Sequence, residues 1–364
     1  MDDGLCINVK SKGDFEIWQI DCKGMFWQYP VITELQFLRN LEAVEYDNSD
    51  SQSGLPKSVY IAFPWATLLD KGLPREILKA LVDKIKAQHA SNPSLNANVS
   101  YFTVCQHISF RYLISTLKSM GISTLFAAHK IKGEDEINCV KIKALPLYAV
   151  NVEDSERNLE LRLVSDRASN DRQYLFSFMG AYMPHYLTRV RMEIFRLLSS
   201  EPDAYVNNTG EWHFERVVYR KQLIESGQGH DKSRDLDDSL NPEDVKAKND
   251  RIKYNQVLIN SRFSLCPSGS GPNTIRLWES LAVGSIPVIL ADTYELPELD
   301  PRLGLEWKDV VLTVPENQVA QVPEILRSLV ESSREREFEM RRNCLRVYDF
   351  ISGVNFASGL LSIY

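Results

Sequence analysis

The sequence predicts an α/β protein built from two Rossmann-like domains, each a doubly wound parallel sheet, on three observations. Residues 257–292 read strand, glycine turn, helix, strand, which is a βαβ unit and needs a parallel pair. Residues 58–145 alternate short β-branched or aromatic runs with helical stretches, the pattern of a parallel sheet covered by helices. A length of 364 residues suits two ordinary domains, each able to bury its own core.

The elements follow in order. Phe15-Glu16-Ile17-Trp18-Gln19-Ile20 reads as a strand ending at Asp21-Cys22-Lys23-Gly24, and a helix fits Glu34-Leu35-Gln36-Phe37-Leu38. Residues 45–57 are loop by composition. Ser58 to Phe63 is a strand stopped by Pro64-Trp65, and Pro74 to Gln88 is an amphipathic helix with proline in its first turn. Tyr101 to Cys105 is a strand followed by Gln106-His107 and a helix near Phe110 to Met120. Ile122 to Ala127 and Val140 to Leu145 supply two more strands. Residues 151–172 turn charged and polar and read as the link between domains. The expected division is 1–160, 161–345, and a terminal helix over 346–364.

In the second half, Tyr174 to Met179 is a strand ending at Gly180, and the helix after it carries Arg189, Arg191 and Arg196. Residues 226–244 are acidic, poor in apolar residues and long, as a loop or lid would be. Asp235-Leu236-Asp237 spells the D-x-D of metal-dependent transferases, but no apolar strand precedes it, so no metal site is expected. Phe263-Ser264-Leu265 is a strand ended by Pro267, and Ser268-Gly269-Ser270-Gly271-Pro272 is a turn where a backbone can approach a ligand. Asn273 and Thr274 are capping types. Helical spacing through Ile275, Trp278 and Ala282 predicts the apolar stripe of the next helix, ended by Gly284 before the strand Ile286 to Leu290. A strand at Val310 to Val314 and helices over Pro323 to Ser332 and Glu335 to Ile351 complete the chain.

The glycine turn has an electrostatic consequence. Unpaired amides and the positive end of the helix dipole favour an anion such as a pyrophosphate. Arg276 and Glu279, three apart on one helix face, can fork onto phosphate oxygens and accept from ribose hydroxyls respectively. An ordinary surface pair is the alternative; the glycine turn and the abutting strand favour a nucleotide site made of Gly180, Arg191, Ser268, Gly269, Ser270, Gly271, Asn273, Thr274, Arg276 and Glu279. Arg196 reads as a solvated helix-face residue.

Phe263, Leu265, Cys266, Pro267, Ser268, Gly269, Arg276, Glu279, Leu281, Gly284, Ile286, Pro287, Val288, Ile289 and Asp292 form the pattern F-x-L-C-P-S-G…R-x-x-E-x-L…G-x-I-P-V-I…D. It resembles the C-terminal signature of the exostosin-like glycosyltransferases of family 47. The resemblance implies a GT-B fold with two domains facing a cleft, inversion at the anomeric carbon, and a nucleotide sugar held in the C-terminal half. It further implies UDP as the nucleotide, and the leading expectation is transfer to a glycan acceptor in cell-surface or viral glycan synthesis. The Phe178-x-Gly180…Arg191 arrangement resembles the phosphate-side motif that opens the second domain in that family.

An inverting transfer needs a base for the acceptor hydroxyl, while helix amides and arginine neutralise the departing diphosphate without a metal or other cofactor. Asp21, Asp70, His107 and His129 are the candidates. His107 comes first because it directly follows a strand and imidazole is the side chain suited to proton transfer near neutral pH, and Asp70 is second. No carboxylate adjoins His107 in sequence. Trp27 and Trp65 could stack on sugar, although tryptophans are more often core. A sugar-nucleotide epimerase or hydrolase, and a non-catalytic glycan- or sugar-nucleotide-binding module, are the competing readings.

Composition narrows the classes. Hydrophobic residues at 44% and charged residues at 25% are those of a soluble globular chain, and a formal net charge of −7 argues against a nucleic-acid partner. The first residues show no basic segment before an apolar one, and no run reaches a membrane span, so a cytoplasmic location is expected. The six cysteines lie far apart, which suits reduced, mostly buried thiols rather than zinc ligands or disulfides.

Overall fold

The computed structural model describes residues 5–12, 15–28, 32–44, 58–91, 99–148, 172–210 and 242–353, together with 356, 357 and 360; side chains of 242–248 are excepted. The expected loop at 45–57, nearly all of the expected link at 151–172, and Asp235-Leu236-Asp237 lie outside the described residues. The chain divides into two compact units, Met1–Pro146 with Val354–Tyr364, and Leu147–Gly353. Among the described residues no helix is long and apolar enough to cross a membrane.

The first unit holds β1 (Leu5–Lys12), β2 (Phe15–Cys22), α1 (Thr33–Ala43), β3 (Ser58–Ala62), α2 (Trp65–Asp70), α3 (Arg75–Ala90), β4 (Ser100–Cys105), α4 (Ile114–Ser119), β5 (Thr124–Ala127), β6 (Glu136–Ile137) and β7 (Val140–Ala144). Its seven-stranded sheet has the order β1-β2-β3-β4-β5-β7-β6. The central strands are parallel, and antiparallel partners close both edges, β1 on β2 and β6 on β7. Alternation along each strand feeds two cores. Ile61, Tyr101 and Leu125 pack with Leu81 and Ile85 of α3 and with Ile114 and Leu117 of α4. On the other face Phe37 of α1 meets the rings of Tyr60, Phe102 and Phe126.

Several details depart from the sequence reading. β1 has no counterpart in the sequence reading, and of its residues only Leu5 is buried. Trp65 does not merely stop a strand; it begins α2, is wholly buried, and its Nε1 donates to Thr103 Oγ1 at 2.7 Å, which makes it core rather than a sugar platform. Pro74 sits at the N-cap position of α3 and not inside its first turn. Cys105, Cys266 and Cys344 are buried, but Cys6 and Cys139 are exposed and Cys22 is half-buried; all six are free thiols.

The second unit contains β8 (Tyr174–Gly180), α5 (Val190–Leu198), β9 (Ala204–Asn208), α6 (Pro242–Ile259), β10 (Ser261–Pro267), α7 (Ile275–Ala282), β11 (Ile286–Leu290), β12 (Leu312–Thr313), α8 (Val322–Ser332) and α9 (Arg334–Ser352). Among the described residues its sheet has five strands, all parallel, in the order β12-β11-β10-β8-β9. From β8 the chain winds outward to β9, then returns to place β10, β11 and β12 on the other side. The winding therefore reverses between β8 and β10, and in such sheets ligands bind outside the carboxyl ends of the strands at that switch point. Gly180 ends β8, and Ser268 follows the end of β10.

One buried ion network anchors α9 to this sheet. Glu337, 1% exposed, accepts from Arg262 Nε at 2.8 Å and from Arg341 Nε at 3.0 Å and Nη2 at 2.8 Å. Glu337→Ala would remove the buried carboxylate that Arg262 and Arg341 share, and is expected to cost about 3–5 kcal/mol in unfolding free energy, read from urea denaturation. An unchanged midpoint would contradict this role.

Candidate functional site

Two arginines meet at the switch point, one from each flanking crossover helix. Arg191 of α5 donates from Nε to the Ser268 carbonyl at 2.8 Å and from Nη1 to the Ala181 carbonyl at 3.2 Å. Arg276 of α7 donates from Nη2 to the Met179 carbonyl, while its Nε is enclosed and has no hydrogen-bond partner among the described residues. Both guanidinia lie against the Phe178 ring, Arg276 at 4.5 Å and Arg191 at 5.7 Å from its centroid. Tyr254 of α6 lies under Arg276 at 5.2 Å, and Tyr186 under Arg191 at 4.8 Å. Carbonyls and aromatic faces thus hold the two cations. No ion pair joins either of them to a carboxylate among the described residues. Burial, reinforced by repulsion from Arg276, draws the Arg191 pKa down to about 10.

The glycines are explained by this pair rather than by turn conformation. A Cβ on Gly269 would stand 2.9 Å from Arg191 Nη2, and one on Gly180 would stand 3.1 Å from Arg276 Nη2. Neither glycine has positive φ. Gly269→Ala should push the Arg191 fork out of place and, if the turn takes the diphosphate expected from the sequence, weaken its binding about tenfold or more, with a much smaller change in melting temperature. Calorimetric titration of the variant checks it, and unaltered affinity would show that the Arg191 position is unimportant.

The rest of the turn differs from expectation. The Gly269 amide donates to the Gly271 carbonyl at 2.9 Å, the Gly269 carbonyl accepts from the Leu187 amide at 2.9 Å, and the Ser268 amide donates to the Leu290 carbonyl at 3.1 Å, so backbone bonds within the turn and to the loop after β8 and the end of β11 hold it. Ser268 Oγ bonds Thr188 Oγ1 at 2.9 Å and donates to Glu316 Oε1 at 3.1 Å. Thr274 occupies the N-cap position of α7 but makes no side-chain cap. Asn273 Oδ1 accepts instead from Trp278 Nε1 at 3.0 Å, which fixes the turn to the helix. The buried face of α7 is Leu277, Trp278, Leu281 and Ala282, whereas Ile275, expected in the apolar stripe, is half-buried. Ser270 is also half-buried.

Glu279 is buried and its carboxylate takes the Tyr254 hydroxyl, so it braces α7 against α6 beneath Arg276. Arg196 is exposed and paired with Glu193, Nε to Oε2 at 3.0 Å, as the solvated reading has it. His185 is exposed on the loop after β8. Tyr186, Thr188, Tyr254 and Glu316 were not legible as site residues, because no local motif links them to Arg191 or Arg276; only the fold brings them there.

In the first unit the carboxyl ends of β3, β4 and β5 lie side by side and present Asp70, His107 and His129. The carboxylate that sequence could not find beside His107 comes from α2: His107 Nε2 lies 3.0 Å from Asp70 Oδ1. His107 Nδ1 accepts the Ser109 amide at 3.0 Å, so the ring proton belongs on Nε2 and is donated to Asp70. Asp70 also accepts from Gln28 Nε2, and its side chain is 56% exposed. His129 is buried; burial, with His107 and Arg111 adding repulsion, pulls its pKa down to about 3, which keeps it neutral. Asp21 is not part of this group; it is exposed at the end of β2 and bonded to Asn8 Nδ2 at 2.7 Å. Among the described residues no group of three or more His, Cys, Asp or Glu is arranged to hold a metal ion.

Comparison with known proteins bears on this arrangement. The Exostosin-1 homolog of Caenorhabditis elegans is 28% identical over 222 residues, which cover 59% of this chain and 50% of that protein. Exostosin-1 of Drosophila melanogaster is 36% identical over 151 residues, 40% of this chain and 19% of that protein. The probable glucuronoxylan glucuronosyltransferase IRX7 of Arabidopsis thaliana is 38% identical over 80 residues, 22% of this chain and 17% of that protein. The chain thus spans half or less of these relatives. A crystal structure of Anabaena HepE in complex with UDP and glucose is similar over 85% of this chain and 77% of that one, with 8% identity and a TM-score of 0.39. The Exostosin GT47 domain model matches residues 142–329, more than half of the sequence, and the chain belongs to that family.

Proposed function

We propose that this protein is an inverting glycosyltransferase that moves a sugar from a nucleoside-diphosphate sugar, with UDP as the nucleotide, to a hydroxyl of a glycan. One observation carries the reading: two half-buried guanidinia share the switch point of the second sheet, and among the described residues no carboxylate forms an ion pair with either. Elsewhere in the same unit the buried Arg341 is paired with Glu337. Charges withdrawn from water are ordinarily paired, and a diphosphate would supply the missing negative charge in bidentate form.

Arg191 and Arg276 would hold the diphosphate and neutralise the charge that grows as the anomeric C–O bond breaks. That positive charge makes a divalent metal unnecessary, so chelation by EDTA should leave the rate unchanged. Asp70 is the base in this proposal and His107 its support, the reverse of the order that sequence suggested. The imidazole has committed Nδ1 to an amide and Nε2–H to Asp70, so it has no free lone pair. The Asp70 carboxylate can still accept the proton of the acceptor hydroxyl as its oxygen bonds to the anomeric carbon from the face opposite the leaving group.

The plant relative's name makes glucuronate the first donor sugar to try. The test is a thermal-shift panel of nucleoside diphosphates and their sugars, followed by product analysis with glycan acceptors. Stabilisation by UDP and by one UDP-sugar is expected, with UDP released only when acceptor is present. Release without acceptor would make the protein a hydrolase. Binding without any turnover would make it a binding module.

A further inference from the structure

We propose that Glu34, a residue with no sequence signature, is the positioning residue that holds Asp70 and His107 in register. Glu34 lies in the first turn of α1, 1% exposed. Its Oε1 accepts the Gln106 amide at 3.1 Å and the Ala66 amide at 3.2 Å, and its own amide donates to Gln106 Oε1 at 3.0 Å. These contacts span the two segments that carry the pair. Ala66 lies in the first turn of α2, and Asp70 ends that helix one turn later on the same face. Gln106 immediately precedes His107. Pro64, at the N-cap position of α2, offers no side-chain cap, so the Glu34 carboxyl caps a six-residue helix that lacks a cap of its own.

A carboxyl in this place acts by geometry, not by charge. Burial lifts its pKa to about 8, opposed by the amides of Gln106 and Ala66, and a neutral acid still offers its carbonyl oxygen to both amides. The groups facing it are Tyr60 from β3, Cys105 from β4 and Asp70 from α2; Tyr60 and Cys105 are themselves held protonated by burial. Raising pH through 8 would place a negative charge among these groups, one of which is the Asp70 carboxylate. Ionised Glu34 would repel that carboxylate and disturb its bond to His107.

The inference rests on the Asp70–His107 reading of the proposed function, so its test includes a readout that needs no turnover. Nitrogen-15 NMR of the His107 ring, followed with pH, reports the tautomer and the bond to Asp70 directly. Glu34→Gln keeps an acceptor oxygen and no charge: it should retain the Nε2–H tautomer and near-normal kcat, and should lose any alkaline change near pH 8. Glu34→Ala should mix the tautomers and lower kcat about a hundredfold, with KM for the donor unchanged because the nucleotide site lies in the other unit. Circular dichroism and near-ultraviolet spectra identify an alanine variant that has merely unfolded; the glutamine variant then decides. A His107 spectrum in Glu34→Ala identical to that of the parent would overturn the inference. So would a Glu34→Gln variant with disturbed tautomers. If Glu34→Ala alters the His107 spectrum while the parent shows no transfer activity, the positioning role stands and the transferase reading fails.

Discussion

Replacing Arg276 by methionine is expected to weaken diphosphate binding severely while leaving the ligand-free protein as stable as the parent, or more so. Methionine keeps much of the packing against Phe178 and Tyr254 and removes a cation that repels Arg191. Exchanging a poorly compensated buried charge for an apolar side chain of similar volume is neutral or stabilising in other proteins, and partial exposure of Arg276 reduces that gain through solvent screening. On the binding side, each charge-assisted hydrogen bond contributes about 1.5–3 kcal/mol. Losing a two-pronged contact should therefore raise Kd for UDP by roughly 10²–10³ or more. Paired thermal melts and calorimetric titrations measure both quantities. A marked fall in melting temperature with UDP affinity intact would identify Arg276 as a structural residue.

The second large effect is expected at Asp70. Asp70→Asn keeps an oxygen for the His107 Nε2–H but cannot take a proton, so kcat should drop by about 10²–10⁴ while KM for the donor is held. His107→Ala should cost less, about 10–100-fold, because it removes only the support that orients the carboxylate. Measuring kcat and KM separately for the two variants tests the order of roles. If His107→Ala proves the more damaging by far, the imidazole is the base and the sequence order was the right one.

The division between what sequence revealed and what it concealed has a physical basis. Arg191, Arg276, Gly180 and the Ser268 turn could be found because a βαβ unit forces strand, turn and helix to follow in that order, so neighbours in sequence are neighbours in the site. The reason for the glycines was hidden. Gly269 is read from sequence as room for a ligand, yet its bare face is occupied by Arg191 from a helix that precedes it by some seventy residues. The Asp70–His107 contact and the Glu34 contacts likewise join positions on different crossovers, and residues on three separate segments cannot be paired by spacing alone. Short α2 gave no periodic signal, since six residues nearly all buried resemble the tail of the preceding strand. The capping expectation failed for a related reason: Asn273 has the chemistry of a cap, but the buried Trp278 indole needs an acceptor and takes it.

The most direct test is a crystal structure of the protein with UDP. The diphosphate is expected at the carboxyl ends of β8 and β10, with both the Arg191 and Arg276 guanidinia on its oxygens. UDP bound elsewhere, or a switch point in which those two side chains contact only protein, would contradict it.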